Sequence, residues 1–212
     1  MAVPRTSFTT IPRLRLICTR GTPVAKMLAH SPPFPLIIDH LHGDHLITKE
    51  DEEGKILALQ HNERNRRIRL LMPVPNSQRV VMALDNEFLM LEHLYIMAPT
   101  KPNTAMTLPI LLRASHLRHL IQMNFAHLIR SPFFTSAIGL VTLSLEWIRP
   151  SAYYQPNELT RLLSLMPQLE ILGIFLHSPI PNRDVERQLL HMPIMTCVTL
   201  PNLHRFGFKG AM

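Results

Sequence analysis

Five stretches of this chain place apolar residues at the first, fourth and sixth positions of a six-residue frame. They are Leu91, Leu94 and Ile96; Leu117 and Leu120, with Gln122 at the sixth position; Leu140, Leu143 and Leu145; Leu169, Leu172 and Ile174; and Leu203, Phe206 and Phe208. Their starts lie 26, 23, 29 and 34 residues apart. Positions four and six point to one side of a short strand, because side chains alternate across a strand with a period of two. An interval of that size is too long for a hairpin. It fits a crossover, which parallel strands require and a helix supplies most compactly. No single unit of this kind can bury its own apolar face, so neighbours must stack. Arg67-Ile68-Arg69-Leu70 reads as a degenerate earlier strand, and Leu36-Ile37-Ile38 as one more.

A frame of this type recurring about every 28 residues is the leucine-rich-repeat signature. The expected fold is α/β: a leucine-rich-repeat solenoid with a curved parallel sheet and helices on its convex side. It is expected to be incomplete at the C-terminal end, where Phe208 is followed by four residues and no cap. Residues 1–30 read as a basic, poorly ordered or helical N-terminal segment, and 31–212 as the repeat domain.

The return segments agree. Pro156-Asn157-Glu158 opens an apolar-periodic helix through Leu159, Leu162, Leu163 and Leu165, stopped at Met166-Pro167. A second begins near Asn182 and ends at Met192-Pro193, and an earlier one runs from Ser77 past Val80 and Val81 to Leu84. The first helix starts at Thr48, with Asp51 three residues on as an imperfect capping box. Gln122 breaks the pattern, and the spacing predicts a local shift or bulge that uses Ile121 and Met123 in its place.

Composition narrows the function classes. With 46% hydrophobic and 17% charged residues the chain is not a disordered one. No apolar run approaches the roughly 18–20 residues needed to span a bilayer, so no membrane role is expected. Seven glycines stand against 19 prolines, and neither a dinucleotide nor a P-loop glycine motif occurs. No nucleophile elbow is present. Two distant cysteines, Cys18 and Cys197, point to a reducing compartment, cytoplasmic or nuclear. The net charge of +7 suggests acidic partners. The basic stretch before Asp39 has a faint transit-peptide character, but Pro4, Pro12 and Pro23 would break the helix such a signal needs.

Two motifs carry rival chemistry. His40-Leu-His42-Gly-Asp44-His45 has the order of the zinc motif of metallo-β-lactamase-type hydrolases, in which such side chains hold metal ions that activate water. The glycine-rich loops that carry the remaining ligands of that fold are missing. The expected state is a polar strand-to-helix loop with exposed imidazoles, and no metal. Arg64, Arg66, Arg67 and Arg69 could grip phosphates as a nucleic-acid-binding module. No aromatic residues interleave with them, and a solvated return leading into an edge strand is the favoured reading. The acidic run Glu50 to Glu53 suits a helix N-terminus.

Between the apolar positions of each strand, the remaining residues face the open side. They are His93, Tyr95, His119, Ile121, Thr142, Ser144, Glu146, Ile171, Phe175 and Arg205. The row mixes aromatic, imidazole and hydroxyl groups without a catalytic constellation, and it suits recognition of a protein.

The stretches 16–39 (LICTRGTPVAKMLAHSPPFPLIID), 50–70 (EDEEGKILALQHNERNRRIRL), 136–148 (SAIGLVTLSLEWI) and 162–193 (LLSLMPQLEILGIFLHSPIPNRDVERQLLHMP) resemble the fungal F-box-like leucine-rich-repeat proteins. That resemblance implies a non-enzymatic interaction module, with no cofactor, whose repeats hold a substrate protein for a ubiquitin ligase. An F-box would dock onto the adaptor of a cullin–RING ligase. None is legible ahead of Leu14, so that partner is expected only if an F-box lies outside this chain.

Overall fold

The computed structural model describes residues 15–41, 48–71, 77–98, 106–109, 112–126, 132–148, 156–176 and 197–209. The elements run β1 (Leu16–Cys18), α1 (Val24–His30), β2 (Leu36–His40), α2 (Lys49–Gln60), β3 (Asn65–Leu71), α3 (Ser77–Ala83) and β4 (His93–Met97). They continue with β5 (Met106–Thr107), β6 (His119–Met123), β7 (Phe125–Ala126), α4 (Pro132–Ser136), β8 (Thr142–Ile148), α5 (Pro156–Ser164), β9 (Ile171–Leu176) and β10 (Arg205–Lys209). The architecture is α/β. One open sheet of eight strands, ordered β1-β2-β3-β4-β6-β8-β9-β10, is parallel throughout, and β5 and β7 form a separate parallel pair. The stretch read as an N-terminal segment, 1–30, contributes β1 and α1 to this same assembly.

Each strand lies beside the strand of the preceding unit, so the order never reverses. A doubly wound sheet binds ligands in the crevice where its order reverses. This sheet has no such crevice, and what it offers instead is a broad face.

The repeat frame sets the register. Ile68, Leu94, Leu120, Leu143, Leu172 and Phe206 are successive cross-strand partners, and so are Leu70, Ile96, Gln122, Leu145, Ile174 and Phe208. The position-one leucines Leu91, Leu117, Leu140 and Leu169 are fully buried. A main-chain device repeats with them. The carbonyl of Glu92 accepts from the N–H groups of Arg118 and His119, that of Arg118 from Val141 and Thr142, that of Val141 from Glu170 and Ile171, and that of Glu170 from His204 and Arg205. Each strand therefore enters the sheet from a fixed point on its predecessor.

Gln122 corrects an expectation. β6 does not shift. Gln122 pairs with Ile96 and Leu145, lies fully buried on the helix side, and neither polar atom of its amide has a partner. Such burial costs roughly 1–3 kcal/mol, which five registered backbone pairings on each side outweigh. Ile121 and Met123 stay on the opposite face.

Helix signals act as read. Thr48 caps α2: its hydroxyl oxygen accepts from the Asp51 N–H at 3.1 Å, and its O–H donates to the Asp51 carboxylate. α5 starts at Pro156, buries Leu162 and Leu163, and is followed by Met166-Pro167. α3 buries Val80 and Val81, with Leu84 just beyond it. The return expected near Asn182 lies outside the described residues. α1 packs on α2, α2 on α3, and α2 also touches β2. The acidic run lies on α2 as expected, but Asp51 and Glu52 are buried.

Among the described residues other than glycine, Asn124 (φ 60°) and Trp147 (φ 57°) are left-handed. Asparagine tolerates that region, whereas a bulky side chain is strained there. At Trp147 the ladder to β9 skips a residue, so Ile148 returns to the core opposite Leu176. Trp147 is left 46% exposed. At the sheet's end, Phe206 and Phe208 are 62% and 60% exposed although they stand in register with the core residues Leu172 and Ile174.

Candidate recognition face

Strand alternation brings the open-side residues into a grid. The upper row reads Arg67, His93, His119, Thr142, Ile171, Arg205. The middle row reads Arg69, Tyr95, Ile121, Ser144, Gly173, Gly207, and the lower row Leu71, Met97, Met123, Glu146, Phe175, Lys209. All ten residues nominated from sequence therefore share one surface, with Arg205 exposed and the other nine half-buried. Arg67, Arg69, Met97 and Met123 also belong to it. The alternation within Arg67-Ile68-Arg69-Leu70 carried the signal for the first two. Met123, which the expected shift would have turned to the core, lies on this face and its sulfur accepts from the Tyr95 hydroxyl at 3.3 Å.

Local contacts preorganise the grid. The imidazoles of His93 and His119 stack with centroids 4.3 Å apart and planes 6° from parallel, and His119 Nδ1 lies 3.1 Å from the Thr142 hydroxyl. Ser144 donates to Glu146 at 2.9 Å. A methyl group added at Gly173 would sit 2.9 Å from Ser144 Oγ and 3.0 Å from the Phe175 ring, so glycine is what lets that ring lie across the middle row. Toward the first strands, Arg69 bonds Asp39 at 2.8 Å.

Along the edge above the upper row, Arg66 and Glu92 pair at 2.8 Å, followed by Arg118 and Glu170. That hydrogen bond holds the Glu92 carboxyl below its ordinary range. Burial, then the neighbouring His119 and Arg67, lower His93 to about 4. Burial, then Arg118 and Arg67, lower His119. Burial, then the Glu146 carboxylate, raise Tyr95. The stacked imidazoles are thus neutral at pH 7, in a setting where cations outweigh acids.

The arginine run does not lead into an edge strand. β3 is interior, between β2 and β4. Arg64 donates to the carbonyls of Pro32 and Phe34, Arg66 holds Glu92 and Arg69 holds Asp39. Three of the four are committed inside the molecule, which weakens their use as a phosphate grip.

The histidine motif divides. His42, Asp44 and His45 lie outside the described residues. His40 is not on an exposed loop: it ends β2 on the helix side, buried, with Nε2 unpartnered. Burial, then the nearby Lys55, lower it to about 4. Its neighbours form a buried polar layer. Asp51 accepts from the Gly21 N–H at 2.7 Å, in a turn where glycine supplies φ 72°, Glu52 pairs with Arg79 at 3.0 Å, and Lys55 is 2% exposed. A shallow cavity of about 940 Å³ lies between the start of α1 and α2, with Arg20, Pro23, Val24, Glu50, Gly54 and Leu57 among the residues that line it. Among the described residues no three His, Cys, Asp or Glu side chains converge on one point, and no helix is long and apolar enough to cross a membrane.

Comparison of the chain with protein-family models, curated proteins and solved structures finds no match.

Proposed function

We propose that this chain is a non-enzymatic protein-recognition module: a leucine-rich-repeat array similar to the substrate-binding repeats of F-box-like proteins, working in the cytoplasm or nucleus. The observation that supports it most is the continuous open-face grid. Eighteen side-chain positions on six adjacent strands carry Tyr95, Phe175, two methionines, two stacked histidines and several arginines. Aromatic residues, methionine and arginine are the types enriched where proteins meet. The helix-side residues of β4, β8 and β9 fill a core, whereas the open-side residues of the same strands stay half-buried apart from Gly173.

Site-specific photo-crosslinking in cells tests this reading. A photoreactive residue at Ile121 or Ser144 is expected to give discrete protein adducts that the same residue at Arg161, exposed on α5, does not. Equal labelling from both faces, or none from the sheet, would overturn it.

A further inference from the structure

Granting that recognition role, we propose that the partner docks through an extended acidic segment, its carboxylates seated on Arg67, Arg118 and the His93–His119 stack, and a neighbouring apolar side chain resting on Tyr95, Ile121 and Met123.

Charge complementarity carries this choice. Arg69 is neutralised by Asp39 and Arg66 by Glu92, whereas among the described residues neither Arg67 nor Arg118 has an ion-pair partner. His93 stands beside Arg67 across the β3–β4 pair, and His119 beside His93 directly follows Arg118. The groups facing the stack are Arg66 and Arg67 on β3, Glu92 beside β4, Arg118 beside β6, Thr142 on β8 and Glu170 beside β9. Glu170 is the one acid there that no arginine holds among the described residues.

The dimensions match. Arg67, His93 and His119 sit on three adjacent strands, and at about 4.8 Å per strand that row spans roughly 10 Å. Carboxylates three residues apart in an extended chain of polyproline-II form, which has three residues per turn, lie on one side and cover about the same distance. Glu146 fixes the orientation. It stands two rows below, bonded to Ser144 and close enough to Tyr95 to raise its hydroxyl, so an acidic side chain in the lower row is repelled. A carboxylate against the imidazoles favours their protonated form, so docking takes up protons.

Anisotropy with the full chain and a fluorescein-labelled peptide of four glutamates followed by two leucines tests this. Saturable binding is expected. It should weaken about ten-fold or more in the Arg67→Ala, Arg118→Ala double variant and stay unchanged in Arg161→Ala. From pH 7.5 to 6.0 it should tighten by about three-fold, and the tightening should vanish in His93→Gln, His119→Gln while binding persists. No saturable binding, equal binding of a peptide with lysines in place of the glutamates, or an equal loss in Arg161→Ala would overturn it. So would tighter binding of a single-stranded DNA decamer, which would assign the surface to phosphate. Open-face crosslinks that persist when the acidic peptide fails would remove this inference alone and leave the recognition role standing.

Discussion

The layer β2–α2–β3 and the strands β4, β6, β8 and β9 bury their interiors by opposite means. Under α2 the buried set includes His40, Asp51, Glu52, Lys55 and Asn65. There, order comes from directed bonds: Asp51 to Gly21 and Thr48, Glu52 to Arg79, and the Asn65 amide to the carbonyls of Ala58, Leu59 and His61 at the end of α2. In the central strands the interior is a ladder of leucine and isoleucine with a single polar rung, Gln122. Losing a rung of the ladder leaves a cavity but strands no neighbour's polar group, because its contacts are non-directional. Losing a member of the network strands a partner, and His40 Nε2 and Asn65 Oδ1 already have none there.

Four measurements bear on that difference. The largest effect is expected in the ladder: Leu143→Ala, at a fully buried position, should cost about 2–5 kcal/mol in denaturant unfolding. In the network, Asn65→Ala removes the amide that three carbonyls share and should cost about 1–3 kcal/mol. A loss below about 0.5 kcal/mol would show that water replaces it there. Gln122→Leu should go the other way and stabilise by about 1–2 kcal/mol, since it swaps an unpartnered amide for the residue type of its neighbours. A destabilised variant would mean the amide has a role the ladder does not reveal. The smallest effect, taken per pH unit, concerns protons. His40 falls to about 4 in the folded chain, so the unfolded chain binds the extra proton first as pH drops below about 6.5. Stability should therefore decline by about 1 kcal/mol per pH unit between 6.5 and 4 from this group, with no contribution above that window. His93 adds in the same direction. His40→Leu should flatten the decline, and an unchanged pH profile would count against the buried neutral imidazole.

The same contrast explains what could be read from sequence. Leu91, Leu140 and Leu169 announce their strands because a ladder repeats its residue types, and Pro156 and Pro167 bracket α5 because proline acts locally. Thr48 and Asp51 opened α2 for the same reason. β1 has only three residues, and nothing in Leu-Ile-Cys distinguishes it from a loop until β2 pairs with it. The arginine run misled because a charged strand is legible as interior only when Asp39 and Glu92, far away in sequence, are seen beside it. Gln122 misled differently. A local rule would have moved the strand, but register is enforced jointly by β4 and β8. Of the open face, position within the strand was legible. Which side chains stack, pair or stay uncommitted depends on neighbours about 25 residues away and was not.

The strained Trp147 at the end of β8 has a practical consequence. It is the only tryptophan in the chain, half in solvent, and it follows Glu146 at the lower margin of the open face. Indole emission shifts with the polarity around the ring. A molecule settling on that margin would therefore change the intrinsic fluorescence of the unlabelled protein, giving an optical signal for occupancy before any partner has been identified.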